Sequence, residues 1–308
     1  MSSQPPLLLL SDDQADALHH HDLRMQHALD HLASIYGKTF RRTARLPGKR
    51  GAWAIASVDG ECAVLKVFDE STCVEMWAMA EIVTQLHACG YPTPRVLYAG
   101  QLPDGDCVYV QEWLPGQMLR TPGVWTELNA DELQLLLAML ERHAQLAPPG
   151  GRDWVTAIEA VVCQHQGAWA IVAQCPIPAV QQILARCQQR ITQLDAALWR
   201  RDDLVIGDFG AHNILLNDKG QIAAVLDLEG AGHGDRVLDL VGLQYMVEPQ
   251  LLQRVRNEAH RIATPSTVTL SAIYWIIQRL YLGLQALDTD LAPIAAQMLA
   301  HIDILLAE

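Results

Sequence analysis

The sequence predicts an α+β protein of two lobes: a small strand-rich N-terminal lobe containing one key helix, and a large, mainly helical C-terminal lobe. Short apolar runs separated by turn signals lie between residues 40 and 112, whereas helical spacing dominates after residue 127. Half of the 308 residues are apolar and 19% are charged, which is enough apolar material for a large core. We expect residues 1–112 to form the first lobe, 113–116 a hinge and 117–308 the second lobe.

The N-terminal elements follow from periodicity and turn residues. Residues 11–37 predict a leading helix, because Ser11 can cap it and apolar residues recur at helical spacing. The apolar runs 53–55 and 63–67 predict two strands, and Asp59-Gly60 between them is a hairpin signal. The first lobe should therefore begin with a helix and continue as an antiparallel sheet.

A second helix and a second pair of strands are predicted next. Residues 71–88 return to helical spacing, and the prolines in 91–94 end that helix. The runs 96–98 and 107–112 predict strands joined by a turn at 103–105. The segment Leu114-Pro-Gly116 then closes the lobe.

The C-terminal part alternates between helical and strand patterns. Residues 127–200 have helical spacing, interrupted by the Pro- and Gly-rich 148–151 and by Pro176 and Pro178. Short apolar runs around Gly and Asp in 203–230 predict strands, and the pattern is helical again from 235. The large lobe should thus be helical with a strand pair inserted in it.

Charge and hydropathy exclude several classes of protein. There are 35 Asp+Glu and 22 Lys+Arg residues, a net charge of −13, which argues against a nucleic-acid binder. The most apolar late segment, 272–287, is short and contains Gln278 and Arg279, so no membrane span is expected. The N-terminus lacks the basic region and the long apolar run of a signal peptide. We expect a soluble cytoplasmic protein, and the sequence leaves its oligomeric state unknown.

The cysteines predict neither a disulfide framework nor a zinc site. Their number is odd and no two are spaced as Cys-x-x-Cys. We expect buried, unpaired small hydrophobic residues in a reducing compartment. The seven are Cys62, Cys73, Cys89, Cys107, Cys163, Cys175 and Cys187.

Residues 204–229 carry the pattern with the clearest chemistry. Asp208 and Asn213 lie in a turn between apolar runs, and Asp227 follows the next apolar run. A β-hairpin would bring these three oxygen-bearing side chains together, and such a set suits Mg²⁺ with bound phosphates. Phosphoryl transfer uses a carboxylate to orient a hydroxyl together with Asn and Asp ligands for the metal. Ordinary turn formation is the alternative explanation for the same residues.

The longer segment 204–240, which contains GDFGAHNILL and AAVLDLEGAGHGDRVLDL, resembles the aminoglycoside phosphotransferase and choline kinase-like family. The Asp-Phe-Gly-x-x-Asn form is most similar to hygromycin-type phosphotransferases. This resemblance implies a protein-kinase-like fold and the transfer of phosphate to small-molecule hydroxyl groups. It extends over about residues 40–245.

The resemblance also implies roles for individual residues. Asp208 would be the catalytic base, and Asn213 and Asp227 would be the Mg²⁺ ligands. Asp235 and Asp239 match the family element GDxxxDL, which implies capping of the next helix and bracing of the catalytic loop. The role of Glu229 stays open between substrate contact and structure.

Two positions depart from the family pattern. The family usually has His two residues before the catalytic Asp, where this chain has Ile206. A second common His, two residues after the Asp, is replaced by Gly210, while His212 directly precedes the Asn. These changes concern the geometry of the loop more than the type of reaction.

In the N-terminal lobe the resemblance implies a nucleotide site for ATP or GTP. Lys66, which lies within an apolar strand, would contact the phosphates, and Glu81, or else Glu75, would pair with it. The main chain of Glu112 to Leu114 would bind the base. Gly48 and Gly51 would belong to the phosphate cover, in a segment that holds six of the 22 basic residues.

These observations predict an ATP-dependent O-phosphotransferase with Mg²⁺, acting on a small-molecule hydroxyl, such as that of an aminoglycoside-like or other antibiotic. A metabolic kinase of the choline, methylthioribose or homoserine type is the first alternative. A pseudokinase-like binding module is the second. Asp153, Glu159 and Glu248 are acidic candidates for contact with the acceptor, and the sequence does not rank them.

Overall fold

A computed structural model describes residues 12–46, 52–120, 127–147, 150–285 and 291–306. These residues form two compact units. The first consists of the described residues up to Thr84 together with Pro94–Pro115, and the second of Gln85–Thr93 together with those from Gly116 onward. The expected hinge at 113–116 stays a prediction.

The first unit contains two helices and a five-stranded antiparallel sheet with strand order β1-β2-β3-β5-β4. The leading helix and the two hairpins that the sequence predicts are present. The elements are α1 (Asp12–Tyr36), β1 (Phe40–Arg45), β2 (Trp53–Ser57), β3 (Cys62–Phe68), α2 (Cys73–Ala88), β4 (Val96–Gln101) and β5 (Cys107–Glu112).

The core of the first unit lies between α1 and the sheet. Met25, Leu29 and Leu32 of α1 are buried against strand residues that include Leu65 and Val108. Their spacing of four and three residues places them on one face of the helix. This apolar stripe explains why the leading helix packs on the sheet.

The second unit is mainly helical, and 12 of the 21 residues in its helix Pro265–Gln285 are buried. Two small sheets, of strand order β10-β9-β6 and β7-β11-β8, lie among the helices. The elements are β6 (Gln117–Met118), α3 (Ala130–Glu141), β7 (Arg152–Asp153), α4 (Trp154–Ile158), α5 (Ala168–Val172), α6 (Pro178–Ile191), β8 (Asp203–Val205), β9 (Ile214–Leu216), β10 (Ile222–Val225), β11 (Gly232–Gly234), α7 (Val237–Gly242), α8 (Leu252–Ile262), α9 (Pro265–Gln285) and α10 (Leu291–Leu305). Within the part of the chain that the structure describes, no helix is long and apolar enough to cross a membrane.

The expectation that all cysteines are unpaired and buried is wrong. Cys73 and Cys107 form a disulfide across a sequence separation of 34, with 5.6 Å between their Cα atoms. They are the first residues of α2 and β5, and only the folded unit brings these two ends together. Three further cysteines are exposed, and only Cys175 and Cys187 are free and buried as expected. The exposed three are Cys62, Cys89 and Cys163.

Candidate active site

The loop that carries Asp208 begins where β8 ends. β8 pairs with β11, with Leu204 opposite His233, and this pairing holds the start of the loop. Gly207 then adopts φ +78°, and a Cβ there would lie 2.0 Å from the ring of Trp154. Glycine is required on both counts, because other residues rarely adopt this φ and no side chain would fit. The sharp turn leaves the Asp208 side chain 64% exposed.

Two buried carboxylates hold this loop and the helix behind it. Asp239 accepts hydrogen bonds of 2.8 Å from the backbone N–H groups of both Ile206 and Gly207. Asp235 accepts from the N–H of Val237, the first residue of α7, and from Arg200. Both residues thus have the capping and bracing roles that the family pattern implies.

The β9–β10 hairpin brings Asn213 and Asp227 to the same end, as predicted. Ile214 lies opposite Val225 in the register, and the N–H of Leu226 donates to the carbonyl of Asn213 over 2.8 Å. Asp227 then adopts a left-handed conformation, with φ 56° and ψ 57°. Asp tolerates this region better than most residues do. The turn places the exposed Asp227 directly beyond the buried hairpin.

The side chain of Asn213 is oriented by the loop itself. Its amide nitrogen donates to the carbonyl oxygen of Asp208 over 3.0 Å. A carbonyl only accepts, so this contact assigns the nitrogen, and the amide oxygen is left to accept or to bind a cation. Among the described residues no three His, Cys, Asp or Glu side chains form a metal cluster. One amide oxygen and one carboxylate nevertheless fit Mg²⁺, which keeps several waters and phosphate oxygens among its ligands.

His212, to which sequence reasoning assigned no role, lies beside Asp208. Its Nε2 is 3.4 Å from Asp208 Oδ2. This contact raises the pKa of His212 against the opposing effect of burial, and the charge of Asp227 also raises it. A Cβ at Gly210 would lie 2.8 Å from the His212 ring. Gly210 and His212 are therefore linked, because the His212 ring occupies the space that a side chain at position 210 would need.

Arg279 in α9 also interacts electrostatically with Asp208, which no local pattern in the sequence indicates. The guanidinium lies over the ring of Tyr245, 4.4 Å from its centroid. Burial lowers the pKa of Arg279, and the negative charge of Asp208 opposes that effect. The available signal was a cation inside the most apolar stretch of α9, a position where an arginine needs polar surroundings.

In the first unit, Lys66 occupies the middle of β3 opposite Tyr109 and is half-buried. Glu75 and Glu81 both lie on α2 with exposed side chains. Burial therefore does not separate the two candidates for the partner of Lys66. The choice between them stays a prediction.

The segment Glu112 to Leu114, whose main chain would bind the base, begins on β5 and continues beyond its end. The N–H of Glu112 donates to the carbonyl of Arg95 over 2.9 Å, so the sheet already uses this donor. Leu114 lies beyond the end of β5 and belongs to no strand of the described residues. Its main chain is the better candidate for contact with a base. Gly48 and Gly51 lie outside the described residues.

The acidic residues expected to contact the acceptor differ in the hydrogen bonds that they already make. Asp153 caps α4 by accepting from the N–H and hydroxyl of Thr156, and Arg201 lies 3.4 Å from it. Glu248 accepts from the amide of Gln250 over 2.6 Å. Asp153 is therefore a helix cap, which makes it the weakest of the three candidates. Glu159 and Glu229 are half-buried.

Comparison with known proteins extends these observations. The model of the phosphotransferase enzyme family matches residues 43–267. No curated protein matches the chain. Aminoglycoside phosphotransferase APH(4)-Ia is 19% identical with a TM-score of 0.66, over 92% of this chain and 100% of that one. A thermostable mutant of the same enzyme, solved with AMP-PNP and hygromycin B, is 20% identical with a TM-score of 0.62, over 91% and 98%.

The structure of a 2″-phosphotransferase with GDP and kanamycin is also similar to that of this chain. It is 16% identical with a TM-score of 0.59, over 86% of this chain and 93% of that one. At these identities the solved structures establish the fold, which is that of aminoglycoside phosphotransferases. The family match covers most of the chain. The chain therefore belongs to the phosphotransferase enzyme family, as a kinase-type enzyme with an alcohol group as acceptor.

Proposed function

We propose that this protein transfers the terminal phosphate of ATP or GTP to a small-molecule hydroxyl, with Asp208 as the catalytic base. The observation that carries the proposal is the arrangement around the loop after β8. An exposed carboxylate, the oriented amide oxygen of Asn213 and the carboxylate of Asp227 meet at the end of one hairpin. A base must reach the hydroxyl proton, and the exposure of Asp208 permits this.

Asn213 and Asp227 would hold Mg²⁺ through one oxygen each. When bound, the ion neutralises phosphate charge and aligns the phosphates for transfer. Asp239 contributes by keeping the backbone before Asp208 in one conformation, since its two oxygens hold two adjacent amides. Most of the rate enhancement would come from such positioning and from electrostatics.

The first unit would supply the nucleotide contacts. Lys66 would neutralise phosphate charge, with Glu81 or Glu75 as its partner, and the main chain at Leu114 would contact the base. The solved relatives that bind AMP-PNP and GDP support a nucleotide as the donor. Glu112 would contribute its main-chain carbonyl, because its N–H is engaged in the sheet.

An antibiotic is the first candidate acceptor, because relatives of the same fold bind hygromycin B and kanamycin. Arg279 favours a second candidate. Its half-buried guanidinium, which interacts electrostatically with Asp208, would attract a carboxylate of the acceptor. A metabolic acceptor of the homoserine type fits this cation better than choline does.

The test measures ADP or GDP formation with Mg²⁺ and hygromycin B, kanamycin, choline or homoserine as acceptor. Asp208→Asn should lower turnover by a factor of about 10²–10⁴ while the protein stays folded, because the general base is lost. Asp218→Asn is the matched control, since it makes the same change on the exposed turn between β9 and β10. Full turnover in Asp208→Asn would exclude the proposed base.

A further inference from the structure

A buried histidine lies beside the loop that carries Asp208, and nothing above gives it a role. His143 follows α3 and has no exposed surface. Its carbonyl accepts from the N–H of Leu204 over 2.8 Å, which ties it to β8, the strand that leads into the loop. The backbone of His143 is thus anchored close to the turn at Gly207.

The ring of His143 lies among Tyr91, Phe209 and Asp239. Nε2 is 2.9 Å from the hydroxyl of Tyr91, and the ring packs edge-on against Phe209, with 5.2 Å between centroids. Nδ1 lies 3.6 Å from Oδ2 of Asp239. That distance is too long for a hydrogen bond, but Nδ1 is buried without another hydrogen-bond partner, so this carboxylate is its polar neighbour.

The surroundings indicate which ring nitrogen carries the proton. Burial, together with the charge of Asp239, raises the pKa of Tyr91 well above its ordinary value, so the hydroxyl keeps its proton. The hydroxyl can then donate to Nε2, which leaves the ring proton on Nδ1, facing Asp239. The chain of contacts runs from Tyr91 through His143 to Asp239 and ends at the amides of Ile206 and Gly207.

We propose that His143 is the positioning residue of the catalytic loop. The protonated Nδ1 of its ring faces the Asp239 carboxylate, which binds the backbone before Asp208, and the ring packs against Phe209, which follows Asp208. This assigns to a residue at the end of α3 the support that Ile206, an apolar side chain in the usual place of a histidine, cannot provide. The expected effect of His143 on turnover rests on the proposed role of Asp208, whereas its expected effect on the conformation of the loop does not.

The first experiment measures amide hydrogen exchange in the complete chain. In His143→Ala the amides of Ile206 and Gly207 should exchange at least tenfold faster than in the unchanged protein, relative to the amide of Ile277 in α9. A general loss of stability accelerates exchange of the loop amides and of the reference amide alike, so it leaves their ratio unchanged. Val180→Ala, which removes two buried methyl groups from α6 in the same unit, is the control and should leave the ratio unchanged.

Two conservative variants separate the contacts of the ring. Asn places an N–H donor near the position of Nδ1, so His143→Asn should restore most of the protection of the two amides. Gln places its amide nearer to the position of Nε2 and should restore less. If the ratio is unchanged in His143→Ala, or if Asn protects no better than Gln, the proposal is overturned.

The second experiment measures ADP formation from ATP with Mg²⁺, first with water and then with kanamycin as the phosphate acceptor. His143→Ala should lower kcat at least tenfold and leave KM for ATP within twofold, because the loop is displaced and the nucleotide contacts are not. If Val180→Ala has the same melting temperature as His143→Ala and lowers kcat equally, a specific role of His143 is contradicted. If Asp208→Asn retains turnover, the proposed function fails, and the exchange experiment still decides the role of His143.

Discussion

Single residues around Asp208 show how closely backbone and side chains are matched. Gly207 needs both a positive φ and the absence of a Cβ, because Trp154 fills the adjacent space. The indole N–H of Trp154 also donates to the carbonyl of Gly230 over 3.0 Å, so the ring cannot move without breaking that bond. One tryptophan therefore links the loop after β8 to the segment after Asp227.

Two glycines separate the cost of backbone strain from the cost of a steric clash. Gly220, in the β9–β10 turn, has φ +69° with no atom within 4 Å of a Cβ position. Gly220→Ala should cost about 1–2 kcal/mol from the left-handed backbone alone. Gly207→Ala should cost roughly 1–3 kcal/mol more from overpacking. Urea denaturation measures both losses, and equal losses would show that the Trp154 ring imposes no restriction.

Among the secondary-structure elements, α3 has the best-defined start. The side chain of Asn129 accepts from the N–H groups of Asp131 and Glu132, and Glu132 accepts from the N–H of Asn129. This capping box matters beyond α3, because His143 follows the end of the helix. Because the first turn of α3 is held in place, the positions of its last residues and of His143 are defined as well.

The contribution of this cap can be measured by comparing two Asn→Ala variants. Asn129→Ala should lower the free energy of unfolding by about 1 kcal/mol, since helix N–H groups lose their acceptor. Asn257→Ala, on the exposed face of α8, removes only a side-chain contact with Gln253 and should change stability by less than about 0.5 kcal/mol. If the two variants are equally stable in urea, the cap does not stabilise α3.

The disulfide between Cys73 and Cys107 gives a prediction for α2 and β5 together. Closing a loop of 34 residues contributes about 3–4 kcal/mol in the chain-entropy model. A reducing agent should therefore lower the stability of the first unit by that amount, and a Cys73→Ser/Cys107→Ser variant should not respond to it. Alkylation of the unfolded, unreduced protein should label five cysteines, and seven labels would exclude the disulfide.

At the scale of the whole molecule, negative charge affects how the nucleotide would bind. The net charge is −13, and in the proposed reaction the phosphates of the nucleotide would approach the carboxylates of Asp208 and Asp227. Without a divalent cation these negative charges repel one another. Nucleotide binding should therefore depend strongly on Mg²⁺.

Thermal unfolding with ATP tests this dependence. With Mg²⁺, and with ATP at 100 times its dissociation constant, binding should stabilise the protein by about 2.7 kcal/mol, and EDTA should remove most of this gain. Asp227→Asn should reduce the Mg²⁺-dependent part, whereas Asp218→Asn should leave it unchanged. An equal melting-temperature increase in Mg²⁺ and in EDTA would contradict the proposed metal ligands.

Much of the fold could be predicted because its signals are local. The period of the apolar residues and the turn residues located the leading helix, the two hairpins of the first sheet and the β9–β10 hairpin. The spacing of Asp208, Asn213 and Asp227 identified the candidate site, because a hairpin of known length brings its ends together. The disulfide could not be predicted, since it joins residues 34 apart whose distance depends on how α2 and β5 pack.

The sequence by itself determined the fold class, the family and the order of the candidate site residues, because each follows from patterns among residues that are close together in the chain. Only the tertiary structure decided what surrounds Asp208. His143 and Arg279 lie far from it along the chain, and they meet its loop through the packing of α3 and α9 in the second unit. Long-range contacts of this kind leave no local spacing in the sequence, and therefore they emerge only when the chain is folded.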